Sequence, residues 1–251
     1  MTPRLFDVHC HLSFPEFDAD RDEVVKRAAE EGIQIINSSV SPQEVEKAAS
    51  LAKTYGNVSW TLGLSASETN NEKVEQTLAA IEKYKEHVIG VGEVGLDYYW
   101  VKEEKLRAIE RCNFEKFIEL AGEIKLPLVV HSRNAEEDCL NLLEKHGIPA
   151  LMHCFSGTIE QARRAVSLGC IISIPTNVAH SKQKQELARA LALNAIVLET
   201  DAPYLAPKPK TRNEPVNVLQ SAWKIAELRN VSLQDVETAT TANARRFFKT
   251  Q

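Results

Sequence analysis

Short apolar runs alternate with longer amphipathic stretches along all of this 251-residue chain, and that order constrains its fold more than any single motif. Eight runs read as strands, being rich in Val, Ile and Leu and bounded by Gly, Pro, Ser or Asn: Leu5 to His11, Ile33 to Ser38, Val58 to Leu64, Val88 to Glu93, Leu126 to His131, Ala150 to His153, Cys170 to Ile174 and Ala195 to Asp201. Helical patterns separate them at Asp20 to Glu31, Pro42 to Tyr55, Asn71 to Tyr84, Glu104 to Ile124, Ala135 to His146, Ile159 to Leu168 and Lys182 to Leu193. A last helical stretch covers Asn217 to Lys249, with Ser232 as a cap. Repeated β-then-α order makes a parallel sheet, because each helix carries the chain back to the same end. Nothing in composition marks a linker, so residues 1–251 are expected to form one α/β domain, and eight units in about 250 residues fit a closed (β/α)8 TIM barrel. No Gly-rich phosphate loop follows the first strand, which argues against an open dinucleotide-binding sheet.

Local punctuation supports the alternation. Ser41, Pro42 and Glu44 read as a capping box with proline at the first helical position. Gly32, Gly56, Gly147 and Gly169 each follow a helical pattern, where a left-handed residue closes the last turn. Hydrophobic residues at 43% and charged residues at 26% suffice for a packed interior. A net charge of −5 excludes a broad basic face for long duplex DNA, but not a short anionic substrate, since a bound metal supplies its own positive charge. The 5 cysteines are odd in number and form no CxxC pair, as expected of free thiols in a reducing compartment. No secretory leader and no long apolar span are legible, so a cytoplasmic protein is expected, with no membrane association and no obligate protein partner implied.

Six metal-binding side chains stand at the ends of the apolar runs: His9 and His11, Glu93, His131, His153 and Asp201. A parallel barrel sends its strand ends to one face, so residues from position 9 to position 201 can converge there. Alternation turns His9 and His11 to one side and Cys10 to the other. Four imidazoles and two carboxylates suit Zn²⁺, Mn²⁺ or Mg²⁺ and exceed what one tetrahedral site needs, so two ions, or three, are expected, with Glu93 as the bridging carboxylate. Asp201 is the expected general base and acid. Asp7 and Glu199 each precede a ligand by two residues, and alternation turns them inward, either to orient a histidine or to form a salt bridge. His87, His146 and His180 are read as ordinary surface, helix-end and loop residues.

Around this set lie candidate substrate contacts. Arg133 follows His131 and can clamp a phosphate or sit in a surface ion pair. Ser156 follows His153 in the next loop, and Lys208, Lys210 and Arg212 form a small basic stretch past the eighth strand. Trp100, beside Tyr98 and Tyr99, can stack an unpaired base or pack on the barrel rim.

In this order and spacing the motifs resemble the TatD family of metal-dependent deoxyribonucleases, amidohydrolase-like barrels. The likeness runs from Asp7-Val8-His9-Cys10-His11 through Gly92-Glu93-Val94-Gly95-Leu96-Asp97-Tyr98, His131-Ser132-Arg133, His153-Cys154-Phe155-Ser156-Gly157 and Glu199-Thr200-Asp201-Ala202-Pro203-Tyr204-Leu205 to Arg212-Asn213-Glu214-Pro215 and Asn243-Ala244-Arg245. The resemblance implies that His9, His11, Glu93, His131, His153 and Asp201 are the ligands. It implies hydrolysis of DNA phosphodiesters by a metal-activated hydroxide, 3′ to 5′ on single strands. Related hydrolases use a carboxylated lysine as the bridge, where Glu93 stands here. One departure is plain: Gly63-Leu64-Ser65-Ala66-Ser67 replaces the family's Gly-x-His-Pro-His, placing Ser65 and Ser67 where histidines are usual. Two alternatives stay open at this level, a D-aminoacyl-tRNA deacylase or other ester or amide hydrolase on the same site, and a metal-binding scaffold without turnover.

Overall fold

The computed structural model describes residues 4–250. Eight parallel strands lie in sequence order around one sheet: β1 (Leu5–Cys10), β2 (Ile33–Ser39), β3 (Val58–Leu62), β4 (Val91–Asp97), β5 (Leu128–Arg133), β6 (Ala150–Met152), β7 (Ile171–Pro175) and β8 (Ile196–Glu199). Between them run α1 (Arg21–Glu30), α2 (Val45–Thr54), α3 (Asn71–Tyr84), α4 (Glu104–Ile124), α5 (Glu136–His146), α6 (Ile159–Ser167) and α7 (Lys182–Ala190). Two more helices, α8 (Val218–Arg229) and α9 (Leu233–Phe248), follow the last strand, with Ser232 capping α9 through a full capping box with Asp235. The ring is drawn together where β8 meets β1: Asp201 N–H donates to His9 O at 2.9 Å, and His11 N–H donates to Ala202 O at 2.7 Å. This is the expected TIM barrel.

Every residue of β1, β4, β6, β7 and β8 is buried, because the parallel strands are covered on both faces. That is why they read as continuous apolar runs. Inside the barrel, Phe6, Val8, Ile36, Val129, Leu151, Ile171 and Val197 pack together with Ala244 and Phe248 of α9. A larger shell joins the strands to the helices through residues such as Val24, Ala48, Val74, Phe114, Phe117, Leu140 and Ala165. Among the described residues no helix is long and apolar enough to cross a membrane, and all 5 cysteines are free.

Four local expectations need correction. Ser41 donates its hydroxyl to the Glu44 carboxylate at 2.8 Å instead of capping backbone, and Pro42–Glu44 is a 3-10 turn ahead of α2. Gly32, Gly147 and Gly169 take positive φ, but Gly56 does not, since α2 has already ended at the extended Tyr55. The fourth strand runs through Val91–Asp97 instead of ending at Glu93. Within that longer strand Gly95 has φ +148°, and a Cβ there would lie 2.0 Å from His131 O. Its role is to let β4 press against β5. Finally, the pairing of β1 with β2 is irregular between Asp7 and Cys10. This bulge resets the alternation, so Phe6 and Val8 fill the interior below while His9 and His11 face the mouth above.

Candidate metal centre

The six expected donors come together at the mouth, at the C-terminal ends of the strands. Glu93 is the hub. Its Oε2 lies 3.1 Å from His9 Nε2 and 3.6 Å from His11 Nε2, and its Oε1 lies 2.8 Å from His131 Nδ1 and 3.9 Å from His153 Nε2. Asp201 Oδ1 is 3.4 Å from His11 Nε2, 3.9 Å from His9 Nε2 and 4.0 Å from His153 Nε2. Two overlapping sets, His9 with His11 and Glu93, and Glu93 with His131 and His153, each offer ligand atoms within 4.8 Å of one another. The backbone is adapted to hold them. Gly92 adopts φ +144° just before Glu93, where any Cβ would collide with Val129, and Asp201 itself sits at φ +55°, costly for a residue with a side chain.

The chemistry of the donors fits divalent ions. Three imidazoles have one nitrogen engaged from behind and the other turned to the cluster: His11 Nδ1 faces Ser38 O at 3.1 Å, His153 Nδ1 faces Glu199 Oε2 at 2.9 Å, and His131 Nε2 faces Asp97 Oδ2 at 3.0 Å. Such outer acceptors fix the tautomer and leave a lone pair for a metal. The ring nitrogens of His9 and His11, 3.3 Å apart, point at one another within this ring of acceptors. Burial alone would raise Glu93, but His153, His131 and His9 outweigh it and hold its carboxyl well below the usual range. Asp201 is likewise lowered despite burial, by His11 and His153. Burial opposes charge on the histidines, yet Asp97 and Glu93 push His131 up to about 10, and Glu199 and Glu93 push His153 to about 9. His11 is raised despite burial by Asp201 and Glu93, whereas burial and His153 lower His9. The pocket is thus a buried anionic trap for positive charge.

Two supporting residues differ from the sequence reading. Glu199 orients His153, but Asp7 touches no imidazole: its carboxylate accepts the N–H of Thr200 at 2.8 Å and its hydroxyl at 2.6 Å, fixing the strand that delivers Asp201. The bulge in β1 is the reason, since it breaks the alternation that would have turned Asp7 toward the ligands. Asp97 was missed as a partner of His131. The sequence signal was present in its place two residues past Gly95, but a strand ending at Glu93 left it in a loop.

The centre opens into a cavity of about 760 Å³ lined by Ser65, Ser67, Trp100, Arg133, Ser156, Asn177, Lys184 and Tyr204 among others. Trp100 is 66% exposed, and the Arg133 guanidinium lies 3.8 Å over the Tyr99 ring with no carboxylate partner among the described residues. Tyr98 is pinned instead by Asp138 and Arg111 at 2.6 and 2.9 Å. Ser156 donates to Glu136 at 2.8 Å at the cavity edge, and the Ser65 and Ser67 hydroxyls face one another at 3.3 Å. Arg212 does not reach the cavity: it is bound to Asp20 at 2.7 and 2.5 Å and to Glu16 O at 2.7 Å. Lys208, Lys210 and His180 also lie outside the cavity wall.

A protein-family model described as TatD related DNase matches residues 6–249. The human deoxyribonuclease TATDN3 is 35% identical over 263 residues, covering 97% of this chain and 94% of its own. The 3′-5′ ssDNA/RNA exonuclease TatD of Cronobacter sakazakii is 32% identical over 260 residues, covering 97% of each. Among solved structures, YjjV, a TatD homolog from Escherichia coli K12, superposes with a TM-score of 0.91 at 26% identity over 100% of both chains.

Proposed function

Since this chain belongs to the TatD-related DNase family of metal-dependent hydrolases, we propose that it is a 3′-to-5′ exonuclease acting on single-stranded DNA at the centre built around Glu93. The observation that carries this reading is the set of three imidazoles, each held from behind by an acceptor and each presenting its free nitrogen toward Glu93 or Asp201. His9, His11, Glu93 and Asp201 would hold one ion and Glu93, His131 and His153 a second, as Zn²⁺, Mn²⁺ or Mg²⁺. Held there, such ions would neutralise phosphate oxygens and lower the pKa of a bound water toward about 7.

The chain's own residues do the rest. Asp201, kept as a carboxylate by His11 and His153, accepts the proton of the attacking water and returns it to the departing 3′ oxygen. Glu93 fixes the two histidine pairs relative to one another. Arg133, unpaired at the rim, meets the phosphate backbone, and Trp100 stacks a base of the strand end. Below the mouth the barrel interior is filled by buried apolar side chains.

The test is a product map. Metal-loaded protein on 5′-labelled single-stranded DNA should yield a ladder shortening from the 3′ end, and Asp201→Asn should abolish it. Turnover of a charged D-aminoacyl-tRNA or a small ester with intact DNA would reject the nuclease reading.

A further inference from the structure

The cavity wall contains a charge that neither the metal set nor the sequence reading uses. Lys184, in the first turn of α7, is 4% exposed and lines the cavity. Its Nζ donates to Cys154 O at 2.9 Å and to Phe155 O, the two carbonyls just after His153. Among the described residues no carboxylate oxygen lies within 4.0 Å of it. A buried ammonium is costly unless an anion compensates it, and two neutral carbonyls do so only in part. Asn177, at the start of the same β7–α7 connection, also lines the cavity, and its side-chain Oδ1 is buried with no hydrogen-bond partner. Turned about, the same amide presents N–H groups instead.

We propose that Lys184 and Asn177 form a phosphate subsite on the β6–β7 side of the cavity, whose missing counter-ion is a backbone phosphate of the bound strand. The inference rests on the nuclease reading and adds a substrate contact to it. Burial makes the subsite preorganised: the ammonium is already desolvated and fixed by the Cys154 and Phe155 carbonyls, so an incoming phosphate finds a donor that need not reorganise. The same tether makes Lys184 a support for the loop carrying His153. The experiment must therefore separate charge from scaffolding.

Binding of a fluorescent oligothymidylate with hydrolysis-resistant phosphorothioate linkages is measured by anisotropy on metal-loaded protein across a salt series. A matched strand with neutral methylphosphonate linkages is run beside it. Lys184→Met should weaken binding of the charged strand by about tenfold and reduce the slope of log affinity against log salt by about 0.7, with no change on the neutral strand. Lys184→Arg should restore most of the affinity. Unchanged affinity and slope, or equal loss on both strands, would overturn the proposal in favour of a scaffold role. If Lys184→Met does not fold, Asn177→Ala serves in its place, with a loss of about threefold on the charged strand alone expected and no loss counting against the subsite. Wild-type protein that binds no charged strand would overturn the nuclease reading as well, whereas a wild type that binds and variants that match it would overturn only the subsite.

Discussion

Glu199 holds His153 by two contacts at once: Oε2 lies 2.9 Å from His153 Nδ1, and Oε1 accepts the N–H of Cys154 at 2.8 Å. One fully buried carboxylate therefore sets both the ring tautomer and the path of the backbone beyond it. Replacing Glu199 by Gln puts an amide NH₂ opposite one of two donors. Metal affinity should fall by about 10- to 100-fold. Competition with a chromophoric chelator measures this, and an affinity equal to wild type would show that Glu199 does not orient the ligand.

Removing the metal should also cost stability. The cluster concentrates two carboxylates and four imidazoles in one buried volume, and only the folded state assembles them. Stripped protein should be less stable than protein with ions at one hundred times Kd by about 2.7 kcal/mol, a drop in Tm of roughly 5 to 10 °C for a chain of this size. Scanning calorimetry before and after chelation checks it.

Glu110, which lies near Asp97 and is not itself one of the six donors, gives a separate pH signature. It faces inward from α4, is 1% exposed, and neither carboxyl oxygen has a hydrogen-bond partner among the described residues. Burial pushes its pKa up to about 7, above the ordinary value of 4.5. The folded state therefore prefers the protonated form: its stabilising contribution is complete below pH 4.5 and is lost as pH rises through about 7. Glu110→Gln should match wild type at low pH and exceed it by on the order of 2 kcal/mol above pH 8. Urea unfolding at both pH values decides it.

The two arginines should behave differently. Arg133 is free of carboxylate partners and faces the cavity, whereas Arg212 is bound by Asp20 and Glu16. Arg133→Ala should weaken single-strand binding by about tenfold, while Arg212→Ala should change it less than twofold (a difference of about 0.4 kcal/mol or less). A larger loss for Arg212 would return it to the substrate path.

Trp100, exposed at the rim, should contribute to strands and not to small diesters. Stacking is worth about 1 to 3 kcal/mol per base, so Trp100→Ala should raise KM for single-stranded DNA while leaving hydrolysis of a minimal phosphodiester unchanged. Equal loss on both substrates rejects stacking.

The strand ends were legible because a polar ligand closing an apolar run is a local event. His131 and His153 each stand one residue beyond an apolar pair, and the barrel's parallel order guarantees a common face. Where glycines interrupt the apolar run, residue type does not show the strand continuing: Gly95 serves close approach of β4 to β5, and Asp97 beyond it lies past the Glu93 end of the run. The bulge near Asp7 is equally silent, because an irregular register leaves no mark in residue type.

By itself the sequence determined the alternation of elements, the closed α/β architecture and the six donors, since all of these follow from hydrophobic period and from residue chemistry at strand ends. Only the tertiary structure decided which acceptor stands behind each imidazole, that Asp7 secures the Asp201 strand, that Arg212 is spent on Asp20, and that Lys184 stands without a counter-ion. Those relationships join residues far apart in the chain through barrel closure and helix docking, and no local pattern records a partner that packing alone brings near.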